Sequence, residues 1–151
     1  ARAEGYPIAF MRWKQHGKFF SGRPFADWID GLGPSGSDMI FERSLPSCYA
    51  SQPFAEMMEQ GGGDNAVVAG FSGAIACLST LVESYHRKHN LTFLRDASAS
   101  HPVLPRTGAE THEFTSQLVG LFTPVTTAGR WIAEQSRLRH GTGSDMGAAS
   151  D

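Results

Sequence analysis

The chain has 151 residues, 40% of them hydrophobic and 19% charged, a composition that reads as one globular domain with a single core. Its net charge of -2, with Lys and Arg scattered, excludes the basic footprint of a nucleic-acid binder. No apolar run approaches the roughly 20 residues of a bilayer span and no leader pattern is present, so the reading is a cytoplasmic protein with neither nucleic acid nor membrane as partner.

The opening ARAEG reads as the last turn of a helix whose start is absent, which makes the chain a fragment on this reading. Tyr6 to Arg12 is an apolar run with aromatic content and reads as a buried strand, with Pro7 tolerated at its beginning. Trp13 to Arg23, with Gly17, Gly22, Phe19 and Phe20, reads as a loop. Pro24 then suits a first helical turn, and Phe25, Trp28, Ile29 and Leu32 repeat at helical spacing until Gly31 and Gly33 stop them. Met39 to Glu42 is a short strand, Ser44 to Ser51 a loop, and Gln52 to Gln60 a helix with Phe54, Met57 and Met58 inward.

Asn65 to Ser84 (NAVVAGFSGAIACLSTLVES) is the stretch the rest is organised around. A short apolar strand, 66–70, breaks at Gly70 and Gly73 and turns into a helix, 74–89, with Ala74, Leu78, Leu81, Val82 and Tyr85 on its core face. Leu91 to Arg95 is a further strand, Thr107 or Thr111 caps a helix through Phe122, and Pro124 to Thr126 forms a last strand. Ala128 to Arg139 is a final helix anchored by Trp131, Ile132 and Leu138, so 1–139 make the domain and 140–151, rich in Gly, Ser and Ala, a disordered tail. Alternation of strand and helix predicts an α/β fold, a mainly parallel sheet with helices on both faces.

Cys77 stands out chemically. It lies off the apolar face of its helix, just after two glycines and at a helix start, where unpaired N–H groups favour thiolate over thiol and can converge on an oxyanion. The bland alternative is a buried structural thiol, and spacing alone favours it. Cys48 reads as a space-filling residue and both cysteines as free thiols. Arg43 ends a strand, and Asp96 follows one, where a turn or cap role is the simpler reading. The six histidines are dispersed; His86 and His89 share a helix but have no third ligand, so no metal site is expected. Gly70 and Gly73 do not match a dinucleotide fingerprint, and no cofactor is expected.

The segment VVAGFSGAIACLSTLVESYHRKHNLTFLRDASAS resembles the strand, glycine turn, cysteine helix and Asp-Ala-ended strand of the isochorismatase-like cysteine hydrolases, relatives of nicotinamidase and N-carbamoylsarcosine amidohydrolase. GPSGSDMIFERSLPSCY resembles that family's proline turn, its strand with the active-site cation, and its Pro-Ser-Ala-aromatic segment. The likeness covers about residues 1–139 and implies a three-layer α-β-α fold. It implies Cys77 as nucleophile, a cis peptide between Ser72 and Gly73, and an oxyanion hole from the N–H groups of Gly73 and Cys77. The family's lysine falls at Arg43, which keeps the charge but forks its donors. The family's aspartate ends a central first strand that has no counterpart here, which leaves a gap in the sheet or a direct pairing of the strands at 6–12 and 66–70. Trp13, Phe19, Phe20 and Tyr49 are candidate pocket walls. The expected activity is hydrolysis of a carbon–nitrogen, amide-type bond of a small molecule through a thioester, in a homo-oligomer. The competing expectation is an inactive family member that serves as a binding or oligomerising subunit.

Overall fold

A computed structural model describes residues 1–13, 28–61, 63 and 65–141. Strand β1 (Ala9–Trp13) pairs in parallel with β2 (Met39–Arg43), with Ala9 opposite Met39 and Trp13 opposite Arg43. Strands β3 (Ala66–Val68), β4 (Leu91–Leu94) and β5 (Val125–Thr126) form a second parallel sheet in that order. Helices α1 (Gln52–Gln60), α2 (Leu78–His86), α3 (Gly108–Val119) and α4 (Ala128–Gly141) alternate with the strands. The parallel α/β expectation therefore holds. Between a gap and a direct pairing, the structure shows the gap: β1 and β3 each end their own sheet and are not neighbours.

The core forms where β4 meets the helices. Leu91 and Phe93, two apart and so on one face of β4, are almost wholly buried together with Leu81 of α2 and Val119 of α3. Tyr49, Met58 and Cys77 complete the cluster. Aromatic edges tie the two sheets together through α1, since Phe54 lies 5.7 Å from Phe41 of β2 and 5.3 Å from Tyr49, ring centre to ring centre. At the start of α3, Thr107 accepts from the Glu110 N–H and Glu110 accepts from the Thr107 N–H, a reciprocal cap worth about 1 kcal/mol.

Several expectations shift. The helix expected from Pro24 to Leu32 is not formed over residues 28–32, where Asp30 and Gly31 make a turn and Ile29 and Leu32 face solvent, while Trp28 packs edge-on against Phe10. The periodicity there has no core to face. Residues 14–27, which include Phe19, Phe20 and most of the expected loop, lie outside the described residues. In α4, Trp131 packs on Tyr6 as an anchor, but Ile132 and Leu138 are exposed. That helix runs on to Gly141, into the start of the expected tail, and residues 142–151 lie outside the described residues.

Candidate active site

The site is built where the chain leaves β3. Gly70 adopts a φ of 144°, a conformation that favours glycine, and Phe71 pairs as an isolated parallel bridge with Ala99. Residues 98–100 then run along the turn. Gly70 N–H donates to Ser98 Oγ (3.0 Å), Ala99 N–H to Gly70 O (3.3 Å), Gly73 N–H to Ala99 O (2.7 Å) and Ala74 N–H to Ser100 Oγ (3.0 Å). A side chain at position 73 has no room, because a Cβ would lie 2.9 Å from Ser100 Oγ and 3.1 Å from His112 Nδ1. From Gly73 to Cys77 the backbone makes one wide π-helical turn, closed by Cys77 N–H donating to Ser72 O at 3.1 Å, and α2 follows.

That wide turn rotates Cys77 inward. The thiol was expected off the apolar face, yet it belongs to the core cluster and is only 4% exposed, with Sγ 3.9 Å from the Gly70 carbonyl. Tyr85, expected in the core, is exposed instead. Burial pushes the Cys77 thiol up to about 12, the neighbouring Cys48 adds to this, and Arg43 and the Ser98 hydroxyl oppose it. The thiolate expected from a helix start is thus not favoured, because desolvation of the charged form outweighs the local positive field.

Two further expectations are corrected here. The non-proline cis bond lies between Phe71 and Ser72, one residue before Ser72–Gly73. Strand β3 ends at Val68 and Phe71 bridges Ala99 on its own, so the break in the ladder precedes Gly73. The N–H groups of Gly73 and Cys77 do not form an open oxyanion hole, since the first is bound to Ala99 O and the second to Ser72 O.

Arg43 closes β2 and is buried. Its Nη1 donates to Leu45 O (2.6 Å), its guanidinium carbon sits 4.7 Å over the Trp13 ring, and Nε has no hydrogen-bond partner. Burial lowers its affinity for its proton, while the thiols of Cys48 and Cys77 are close enough to raise it. Of the expected pocket walls, Trp13 is thus stacked on Arg43, whereas the Tyr49 ring is buried in the core with its hydroxyl 2.8 Å from His89 Nδ1. Cys48 and Cys77 are free thiols. Cys48 N–H donates to Thr80 Oγ1 (3.0 Å), which donates in turn to Ala76 O (2.7 Å), so the Cys48 loop is pinned to the helix turn that carries Cys77. Asp96 has the simpler role, accepting from the Ala128 N–H at 2.8 Å to cap α4.

No three His, Cys, Asp or Glu side chains among the described residues cluster closely enough to hold a metal ion. No helix among them is long and apolar enough to cross a membrane. Clefts of about 350 Å³, beside Arg95 and Arg130, and about 720 Å³, beside His86 and Lys88, open elsewhere than at Cys77.

The sequence model of the isochorismatase domain matches residues 1–128. The chain belongs to the isochorismatase family. Among solved structures it resembles an isochorismatase-like hydrolase from Alkaliphilus metalliredigens, with 19% identity over 89% of this chain and 77% of that one and a TM-score of 0.74. It is similar to an isochorismatase from Pseudomonas putida at 22% identity, covering 85% and 70% of the two chains, TM-score 0.76. A cysteine hydrolase from Pseudomonas syringae pv. phaseolicola matches at 17% identity, over 92% of this chain and 75% of the other, TM-score 0.75. No protein of curated function matches. The protein is an isochorismatase-like hydrolase in family and fold.

Within this isochorismatase-family chain, the residues that sequence reasoning passed over are Ser98, Ser100, Thr80 and His112. Ser98 and Ser100 alternate within a small-residue loop directly after β4. That alternation was the available signal, because period two sends both hydroxyls to one side, here the Cys77 turn.

Proposed function

We propose that the protein hydrolyses a carbon–nitrogen, amide-type bond of a small molecule, with Cys77 as nucleophile and Arg43 as the cation of the site. The observation that carries this reading is the position of Cys77, which follows the glycine turn at the carboxyl edge of β3 and is faced by Arg43 from the end of β2. Sγ attacks the carbonyl carbon as the thiol proton passes to a base, the carbon–nitrogen bond breaks as the amine takes up a proton, and the thioester is hydrolysed by water to acid and free thiol. A thiol held up at about 12 is not a standing thiolate, so its proton must leave during attack. The reaction needs no metal or cofactor, and the acting species is expected to be a homo-oligomer in the cytoplasm.

One observation favours a second reading, an inactive binding or oligomerising subunit. The titratable groups that act on Cys77 are Cys48 and Arg43, so no carboxylate base faces it among the described residues. Ammonia release from a panel of small primary amides and carbamoyl compounds separates the two. Cys77→Ala is expected to lose about 10⁴-fold or more, while Cys48→Ala keeps most of the rate and mass spectrometry finds acyl adducts on Cys77. Equal turnover by Cys77→Ala refutes the nucleophile.

A further inference from the structure

Cys48 takes no part in the proposed hydrolysis, yet it shares the surroundings of Cys77. It opens the short 3-10 turn Cys48–Ala50 that follows β2, and its N–H donates to Thr80 Oγ1 at 3.0 Å. Thr80 lies three positions after Cys77, so the two stand one above the other on the same helical run, both almost wholly buried. Thr80 Oγ1 in turn donates to Ala76 O (2.7 Å), the carbonyl of the peptide that leads into Cys77. Cys48 is therefore tied to the helix on either side of Cys77. A disulfide asks for Cα atoms about 4.4–6.8 Å apart, which is the scale of one helical turn.

Electrostatics put the two sulfurs in one neighbourhood as well. The Arg43 guanidinium acts on both thiols, and a charge on Cys48 is felt at Cys77. The pair is unequal. Cys77 belongs to the buried core, whereas Cys48 is half-buried, and the Thr80 hydroxyl and Arg43 both favour its thiolate against burial and Glu83. A small oxidant thus meets Cys48 first, with Cys77 behind it as the thiol that can resolve the product.

We infer that Cys48 and Cys77 form a reversible dithiol–disulfide pair that hydrogen peroxide closes. The Cys48 thiolate attacks one peroxide oxygen and the O–O bond breaks. The departing hydroxide takes up the proton that Cys48 released, which leaves water and a sulfenic acid on Cys48. Cys77 Sγ then attacks the Cys48 sulfur, the S–O bond breaks, and the hydroxide carries off the Cys77 proton as a second water. The two thiols give up two electrons and two protons, and the peroxide accepts them. The bond itself is independent of any substrate. Its effect on turnover rests on the hydrolase reading above, because closure occupies the Sγ that attacks the carbonyl.

The test exposes the reduced full chain to hydrogen peroxide, unfolds it in urea, alkylates whatever thiols remain and reads the mass. Cleavage after Glu56 and Glu59 separates the two cysteines, so that only a disulfide holds their peptides together. The monomer is expected to lose two hydrogens, to take up no alkyl group and to keep those peptides linked, all reversed by dithiothreitol. Cys77→Ala strands Cys48 as a sulfenic acid that dimedone traps, and Cys48→Ala slows loss of the Cys77 thiol by at least about tenfold. Cys48→Ser serves if Cys48→Ala does not fold. Two intact thiols after peroxide, a sulfinic acid at Cys48 in place of the bond, or a link only between two chains overturns the proposal. Equally fast loss of the Cys77 thiol in Cys48→Ala does the same. Ammonia release, read in parallel, is expected to fall at least about tenfold on closure and to return with dithiothreitol, while Cys48→Ala keeps its rate under the same peroxide. Linkage in a chain that shows no turnover when reduced refutes the hydrolase reading and leaves the pair standing; turnover without linkage refutes the pair alone.

Discussion

Lowering the proton concentration around Cys77 gives the most direct check on how the site is built. With its pKa at about 12, the thiol is ionised to about one part in 10⁵ at pH 7, against about one part in 100 for an unburied thiol titrating at 9.0. Ionisation alone then slows alkylation of Cys77 by about 10³-fold relative to a model thiol, before the shielding of a side chain that is 4% exposed. Iodoacetamide labelling, followed by peptide mass spectrometry at Cys77 and Cys48 between pH 7 and 11, measures both rates. The expected Cys77 rate climbs about tenfold per pH step with no plateau. The same shift has a stability consequence, whose sign follows from which state ionises first. The thiol rises from 9.0 in the open chain to about 12 when folded, so its contribution is fully present below pH 9 and is lost as pH climbs towards 12. Tyr49, raised by burial from 10.0 to about 12, adds to the same alkaline decline. Labelling of Cys77 at the free-thiol rate at pH 7, or a plateau between pH 7 and 9, refutes the claim that burial governs this thiol.

Thr80→Val keeps the shape of a nearly fully buried side chain but leaves the Cys48 N–H without its acceptor, which costs about 1–3 kcal/mol in urea unfolding, while Thr80→Ser retains most of the stability. An unchanged midpoint for Thr80→Val means that the Cys48 loop is not held by this bond. Gly73→Ala pushes a methyl to 2.9 Å from Ser100 Oγ and is expected to cost about 1–3 kcal/mol by thermal unfolding. Adding Ser100→Gly to it recovers part of the loss, and strict additivity of the two substitutions counts against the contact.

Local patterns were legible where local forces decide. Gln52–Gln60 forms as its spacing predicts, because Phe54, Met57 and Met58 find a core to face, and of the two expected caps, Thr107 and Thr111, Thr107 is the one that caps α3, through a reciprocal bond with Glu110. Trp28, Ile29 and Leu32 show the same spacing and form no helix; among the described residues Trp28 packs on Phe10 while Ile29 and Leu32 stay exposed. Periodicity states a preference that tertiary contact must confirm. The roles of Cys77 and Arg43 came from family resemblance, and the two groups are close enough to influence each other electrostatically. What the sequence could not convey was a single extra residue in the turn. One i to i+5 closure from Cys77 to Ser72 moves the thiol from the helix flank into the core and changes its proton affinity. The zipper between Ser98–Ser100 and Gly70–Ala74 was harder to read for another reason: it joins stretches almost thirty positions apart, and only the alternation of its two serine acceptors leaves a trace in the sequence.

The break between the two parallel sheets has a consequence for exchange with solvent. Arg43 belongs to a ladder of five residue pairs, and Cys77 follows a strand held by three pairs to β4. Amide protons on β4, flanked on both sides, should outlast those on β1 and β3, each of which keeps one unpaired edge. The cation and the thiol thus sit with different sheets, joined by the Phe41–Phe54–Tyr49 contacts and by the Cys48–Thr80 bond. Deuterium uptake in β1 and β2 can therefore rise without any loss of protection in β4, and the distance between charge and nucleophile becomes a variable that whatever bridges them will set.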